Sequence, residues 1–396
     1  MSEVVVTGIG IVSPLGIGAG HNHKNLREKK HGLSTADFFE TRYVDAFPFG
    51  EVKCADGELR SLLGGGSFRG FTRTCMLAFL AFREAVEDAG LGRADLNRFD
   101  TGFISASTVG GMCYTDQLYV DANALGSASE FVRSYSASAH TGHIASHFGI
   151  HGFSDTINTA CSSSANAIAL GYRMIKAGRL RRVIVGGADS LAKYTVNGFN
   201  SLRILSEDPC RPFDESRKGL NLGEGAAYLV LEEGSVVENK RRYGTVLGYG
   251  NSNDAYHASA ISPEAEGVVR AIGGALRSAG VAPAEISYAN MHGTGTLNND
   301  EMELLGMLRV FGKLPYFSST KSYTGHTLGA AGAIEAIFSL FSLCYNEIYP
   351  NLRFETPIPQ FGEIPVLNLM QGQPVDYVLS NSFGFSGNCT SLLFGK

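Results

Sequence analysis

The chain has 396 residues, 44% of them hydrophobic, and its 33 basic against 38 acidic side chains give a formal charge of −5. That length buries a sizeable core, as two domains or one large doubled one, and the mild acidity without a lysine-rich block argues against a nucleic-acid partner. Seven cysteines (Cys54, Cys75, Cys113, Cys161, Cys210, Cys344 and Cys389) contain no Cys-x-x-Cys pair, so neither a disulfide framework nor a metal site is expected and a reducing cytoplasm is the expected home.

Met1, Ser2 and Glu3 lead into a valine run without the basic region and apolar length of an export signal. Residues 4–7 read as a strand ending in Gly8 and Gly10. With Ser13 these glycines imitate a dinucleotide-binding fingerprint, but the third glycine is missing and Pro14 follows, so the segment reads as a turn. Residues 16–70, rich in charge and glycine and including Gly64, Gly65 and Gly66, read as an insertion capping the fold. Residues 73–91 have helical apolar spacing closed by Gly90, 101–105 a strand pattern, 166–176 a helix and 183–185 another strand.

The pattern then recurs. Residues 245–247 run into Gly248 and Gly250, 267–281 form a helix closed by Gly280, 286–291 a strand, and 377–379 a last strand. Between them, residues 328–344 are strongly apolar but carry Glu335, which suits a buried helix better than a membrane span, so a soluble protein is expected. Strand, helix, strand, helix, strand in both halves predicts an α/β protein with parallel layers related by an internal pseudo-twofold, its halves at 1–240 and 241–396.

The chemistry-bearing residues fall in the loops between these elements. Cys161 follows Thr159 and Ala160 and precedes Ser162, Ser163, Ser164 and a helix, whose free N–H groups and dipole favour a thiolate; the bland alternative is an inert core thiol. His292 lies in His292-Gly293-Thr294-Gly295-Thr296, where the glycines permit close backbone approach and the hydroxyls suit an amide-rich substrate arm, although such a histidine can also merely satisfy a loop carbonyl. His326 closes Lys321-Ser322-Tyr323-Thr324-Gly325-His326 before a small-residue helix that favours a neutral imidazole. Lys321 and Glu335 would be costly unpaired in so apolar a setting and should be linked directly or through water. Residues 381–387, with Phe383 and Phe385 between glycines, suit a moving gate, an oxyanion-hole N–H or a plain turn. One thiol with two loop-borne histidines points to covalent catalysis, and a cysteine hydrolase satisfies that chemistry too.

Taken together, the 159–163, 211–214, 223–225, 292–296, 321–326 and 381–385 segments resemble the elongating β-ketoacyl-acyl carrier protein synthases of the thiolase-like superfamily, over essentially the whole length. The resemblance implies duplicated α/β halves layered α-β-α-β-α with an inserted cap. It also implies an acyltransferase: Cys161 takes an acyl group from a carrier protein, and His292 and His326 assist decarboxylation of malonyl carrier protein, giving a 3-oxoacyl product for fatty acid elongation. By the same resemblance Lys321 and Glu335 support the histidines, and N–H groups of Cys161 and Phe385 hold the oxyanion at a gate that includes Phe383. Thr294 and Thr296 contact pantetheine, and no cofactor is bound. Acidic carrier proteins call for a basic rim, with Arg69 and Arg203 as candidates. Homodimers are implied, and a heterodimer with a related subunit is also open. The gate departs from the family wording, since Ser386, Gly387, Asn388 and Cys389 replace glycine, glycine, threonine and asparagine. The Cys-Ser-Ser-Ser-Ala-Asn wording of 161–166 is also similar to synthases of aryl-polyene or other polyketide pathways. A non-catalytic chain-length partner is the remaining alternative, and such partners usually lack the cysteine.

Overall fold

The computed structural model describes residues 3–65, 68–124, 126–238 and 240–396; Met1, Ser2 and Gly66, named above, lie outside them. In chain order, the first half supplies β1 (Val4–Ser13), α1 (Arg73–Asp88), β2 (Thr101–Ala106), β3 (Ser154–Ile157), α2 (Ser163–Lys176), β4 (Arg182–Asp189) and β5 (Gly225–Glu233). The second supplies β6 (Gly244–Asn253), α3 (Glu266–Ala279), β7 (Tyr288–Asn290), α4 (Leu297–Phe311), β8 (Tyr316–Ser318), α5 (Ala331–Tyr345), β9 (Tyr377–Gly384) and β10 (Asn388–Gly395).

The strands lie in the order β3-β2-β4-β5-β1 in one half and β8-β7-β9-β10-β6 in the other, which is one topology used twice. In each half three strands are parallel (β3, β2, β4 and β8, β7, β9) and the next two alternate in direction. The sheet is therefore mixed rather than purely parallel, a correction to the sequence reading, which passed over β5 and β10. The halves meet where Val5 and Val6 pair antiparallel with Thr245 and Gly244.

The segment read as a turn at Gly8 and Gly10 is continuous strand. Its glycines are set by packing: a Cβ on Gly8 would lie 2.4 Å from the Ala85 carbonyl oxygen, and one on Gly10 2.1 Å from that of Ala81. The second half repeats the device, with a Cβ on Gly250 falling 1.9 Å from the Ala271 carbonyl. In each half, glycines in the first strand let the outer helix, α1 or α3, press directly on the sheet. Glu84 and Asp88 of α1 also accept the free N–H groups of Ile11 and Ile9 along the unpaired side of β1.

Helices α2 and α5 form the middle layer and touch strands of both halves. They meet through small residues: the Ser164 hydroxyl accepts from the Ala333 N–H at 2.9 Å, and a Cβ on Gly332 would sit 2.8 Å from the Ala165 nitrogen. The stretch Leu328–Tyr345 is long and apolar enough to cross a membrane, but 89% of it is buried inside the protein, as the central element of a layered core. Residues 16–70 carry the helix Ala19–Arg27, a short pairing of Leu33–Ser34 with Phe49–Gly50, and the helix Asp56–Leu62. This cap closes over the loop before His326, where a Cβ on Gly50 would meet the Thr324 carbonyl oxygen at 2.0 Å.

Candidate active site

The catalytic candidates sit at the carboxyl ends of parallel strands: Cys161 after β3, His292 after β7 and His326 after β8. Their placement across both halves of the chain follows from the doubled topology, because the central helices carry the β3–α2 and β8–α5 loops to one point. The Cys161 sulfur and a ring nitrogen of each histidine lie within 4.8 Å of one another, and the two imidazoles stand edge to face at 5.3 Å and 87°. A thiol and two imidazoles brought this close can all face one thioester carbonyl.

Cys161 is reached through a tight elbow in which Ala160 adopts the left-handed region at φ 53°. The residue is 6% exposed, and burial pushes its thiol up to about 11, opposed by N–H groups of Phe385 and Cys161 and by the charge on Lys321. The thiolate expected from the helix start is therefore not the resting form; removal from water outweighs the local donors. The same two N–H groups favour negative charge at this position, which makes them the natural pair to hold an oxyanion formed there.

Both histidines are buried and neutral. Burial and the neighbouring Lys321 charge hold each well below its ordinary value, His326 adding to the effect on His292. The Lys321 ammonium lies 3.1 Å from His292 Nδ1 and donates to buried Glu335, so the link expected between Lys321 and Glu335 is direct. With Nδ1 accepting from Lys321, the His292 proton is on Nε2. His326 reaches the same state by another route: the Leu328 N–H donates to Nδ1 at 3.2 Å, and Nε2 has no hydrogen-bond partner among the described residues. Two N–H donors are thus aimed into the cavity beside the sulfur. Burial raises Glu335 to about 7, against the pull of Lys321.

The 292–296 loop is held by two buried carboxylates of α4 that the sequence reading missed. Glu303 accepts the N–H groups of His292 and Gly293, both at 2.8 Å, and Asp300 accepts those of Thr294 and Gly295. Two acids one helical turn apart, directly after a glycine-rich loop, are the signal that could have exposed them. Gly293 is required as glycine, since a Cβ would press on the Phe213 ring at 2.6 Å.

A cavity of about 290 Å³ leads to Cys161, lined by both histidines, Thr294, Thr296, Phe383 and Phe385 among others. The two threonine hydroxyls are 2.9 Å apart. Arg203 lies on the cavity wall, whereas exposed Arg69 pairs with Glu130 at 3.2 Å and does not line it. Phe383 and Gly384 prove to be the end of β9, and the turn proper is Phe385–Gly387, where Ser386 sits at φ 61°. Phe385 stacks on Phe199 at 5.4 Å, a contact no sequence spacing announced.

Two family models match, β-ketoacyl synthase N-terminal domain over residues 1–237 and β-ketoacyl synthase C-terminal domain over 243–355. The chain is 33% identical to a 3-oxoacyl-[acyl-carrier-protein] synthase 2 from Synechocystis sp., covering 100% of this chain and 98% of that one. Among solved structures, the ishigamide ketosynthase/chain length factor superposes with a TM-score of 0.93 at 30% identity, covering 100% and 99% of the two chains. A ketosynthase in complex with its chain length factor from Xenorhabdus doucetiae gives 0.83 at 30% identity, covering 100% and 98%.

Proposed function

Because the chain belongs to the β-ketoacyl synthase family, we propose that it joins an acyl group held on Cys161 to malonyl-acyl carrier protein, releasing carbon dioxide and a 3-oxoacyl-acyl carrier protein. The observation that carries this reading is the convergence of one buried thiol with two neutral imidazoles whose Nδ1 atoms are taken by Lys321 and the Leu328 N–H, which leaves their protons on Nε2. A hydrolase of the thiol type needs a base poised to activate water, whereas two neutral donors side by side are suited to an enolate oxygen.

In the first half-reaction the Cys161 sulfur attacks the acyl thioester carbon. Its proton leaves with the departing pantetheine thiol, and N–H groups of Cys161 and Phe385 hold the tetrahedral oxyanion. In the second, the carboxylate carbon–carbon bond of the malonyl group breaks as carbon dioxide departs. The electron pair moves onto the thioester oxygen, where His292 and His326 donate. The resulting carbanion attacks the acyl-Cys161 carbonyl, and collapse of that intermediate expels the cysteine sulfur as thiolate, which takes up a proton from solvent. Lys321 and Glu335 hold His292 in its donor tautomer. Thr294 and Thr296 bind the pantetheine arm, and loss of carbon dioxide supplies the driving force, so no protein-bound cofactor enters.

The partner is an acyl carrier protein, a reading supported by the name of the Synechocystis relative. Arg203 at the cavity wall is the better placed of the two candidate basic contacts. Incubating the protein with acyl- and malonyl-carrier protein should yield 3-oxoacyl carrier protein, and Cys161→Ala should abolish it; condensation surviving in that variant would refute the assignment.

A second reading, a ketosynthase of a polyene or other polyketide pathway paired with a chain-length subunit, is favoured by the likeness to the ishigamide and Xenorhabdus structures. Comparing turnover of saturated and polyenoyl carrier thioesters separates the two readings. The mass of the assembly in solution, alone and with a candidate subunit, separates a homodimer from a heterodimer.

A further inference from the structure

Asp189, the last residue of β4, is fully buried and does not line the cavity, yet its carboxylate accepts from five donors. It accepts from the Ser107 hydroxyl at 2.6 Å, the Thr108 hydroxyl at 2.6 Å, the backbone N–H groups of Thr108 and Val109, and the Gly329 N–H at 2.7 Å. None of these donors carries a charge. Four come from the loop after β2 in the first half; the fifth belongs to the turn after His326 in the second. That turn is constrained from both sides: Leu328 is held in the left-handed region at φ 53°, and a Cβ on Gly329 would lie 2.8 Å from the Asp189 carboxylate. Leu328 is the residue whose N–H fixes His326 Nδ1.

The same place in the other half is occupied differently. The end of β9, at Gly384, meets the loop before α2, and a Cβ there would approach the Cys161 nitrogen at 3.0 Å. The pseudo-twofold therefore brings the end of one half's fourth strand against the loop that carries the other half's reactive group. On one side that contact is backbone; on the other it is a carboxylate.

We infer that Asp189 is a positioning residue that sets the tautomer of His326: by gripping the Gly329 N–H it holds the 328–330 turn so that Leu328 donates to Nδ1 and the imidazole proton stays on Nε2. The inference rests on the condensation reading for its kinetic consequence but not for its structural one.

Asp189→Asn separates the two. The Asn carbonyl can keep the Thr108 and Val109 N–H groups, and its NH2 can donate to the Thr108 hydroxyl, but no acceptor remains for Gly329. The tautomer is read by nitrogen NMR of protein labelled with 15N-histidine, the His326 signals being assigned with His326→Ala. The wild type should carry its proton on Nε2, and Asp189→Asn should populate the Nδ1–H form. Decarboxylation of malonyl carrier protein should then fall about tenfold or more in kcat with KM little changed, as expected when a catalytic imidazole loses its tautomer. Acylation of Cys161 should change less than about threefold, since the oxyanion N–H groups are untouched. If Asp189→Asn does not fold, Gly329→Ala pushes the turn from the opposite side and should give the same tautomer shift. A wild-type proton on Nδ1, an unchanged tautomer in the folded variants, or acylation and decarboxylation falling in equal proportion would overturn the assignment. Absence of any decarboxylation in the wild type, with the tautomer shift intact, would count against the condensation reading alone.

Discussion

Burial decides the protonation of the thiol and of both imidazoles at the reacting centre. It holds the Cys161 thiol protonated and both imidazoles neutral, so the resting site stores its proton on sulfur and keeps two donors ready. With the thiol at about 11, alkylation of Cys161 by iodoacetamide should rise about tenfold per pH unit from 7 to 9 without levelling; a plateau near pH 7 would mean a thiolate stabilised in the free enzyme. Because both histidines titrate well below 6.5, decarboxylation should not fall between pH 8 and 6.5 through their protonation. Replacing either with alanine should cost decarboxylation about a hundredfold or more while sparing acylation; the opposite pattern would reverse the division of labour. These residues were legible because each sits in a short motif whose neighbours state its purpose, small hydroxyls around Cys161 and glycines beside His292. Asp189 was not, since its donors lie across the fold, and Asp300 and Glu303 were passed over because they bind backbone N–H groups, their spacing after the glycine-rich loop being the one trace they leave in the sequence.

At the scale of elements, glycine in the first strand of each half is what seats the outer helix. Gly10→Ala should destabilise the protein by about 1–3 kcal/mol, because its methyl would meet the Ala81 carbonyl with no room to relax. Gly20→Ala, which meets nothing within 4 Å, is the matched control and should be close to neutral by chemical denaturation. Equal stability of the two variants would show that α1 is not packed as described. The glycines themselves were visible in the sequence, but read as a turn, since β1 continues through them only by virtue of the helix pressed against it. The outer helices were legible from apolar spacing and closing glycines. β3, whose four residues are exposed or only half-buried, and the three-residue β8 carry no apolar run to register, and the reversed direction of β5 and β10 is fixed by how the chain returns, not by its local composition.

Across the whole molecule, duplication explains why one active site draws on both halves. The nucleophile comes from the loop before α2 and both histidines from the other half, and the sandwiched helices bring them together with small residues at their contact. Neither half alone holds the complete set, which is why the sequence read as repeating yet carried each reactive residue once. The most direct test is intact-protein mass spectrometry after incubation with an acyl-carrier protein. The expected result is one acyl adduct that maps to Cys161, is lost in Cys161→Ala and discharges when malonyl-carrier protein is added. No adduct, or one that persists in Cys161→Ala, would contradict a chain held on that sulfur.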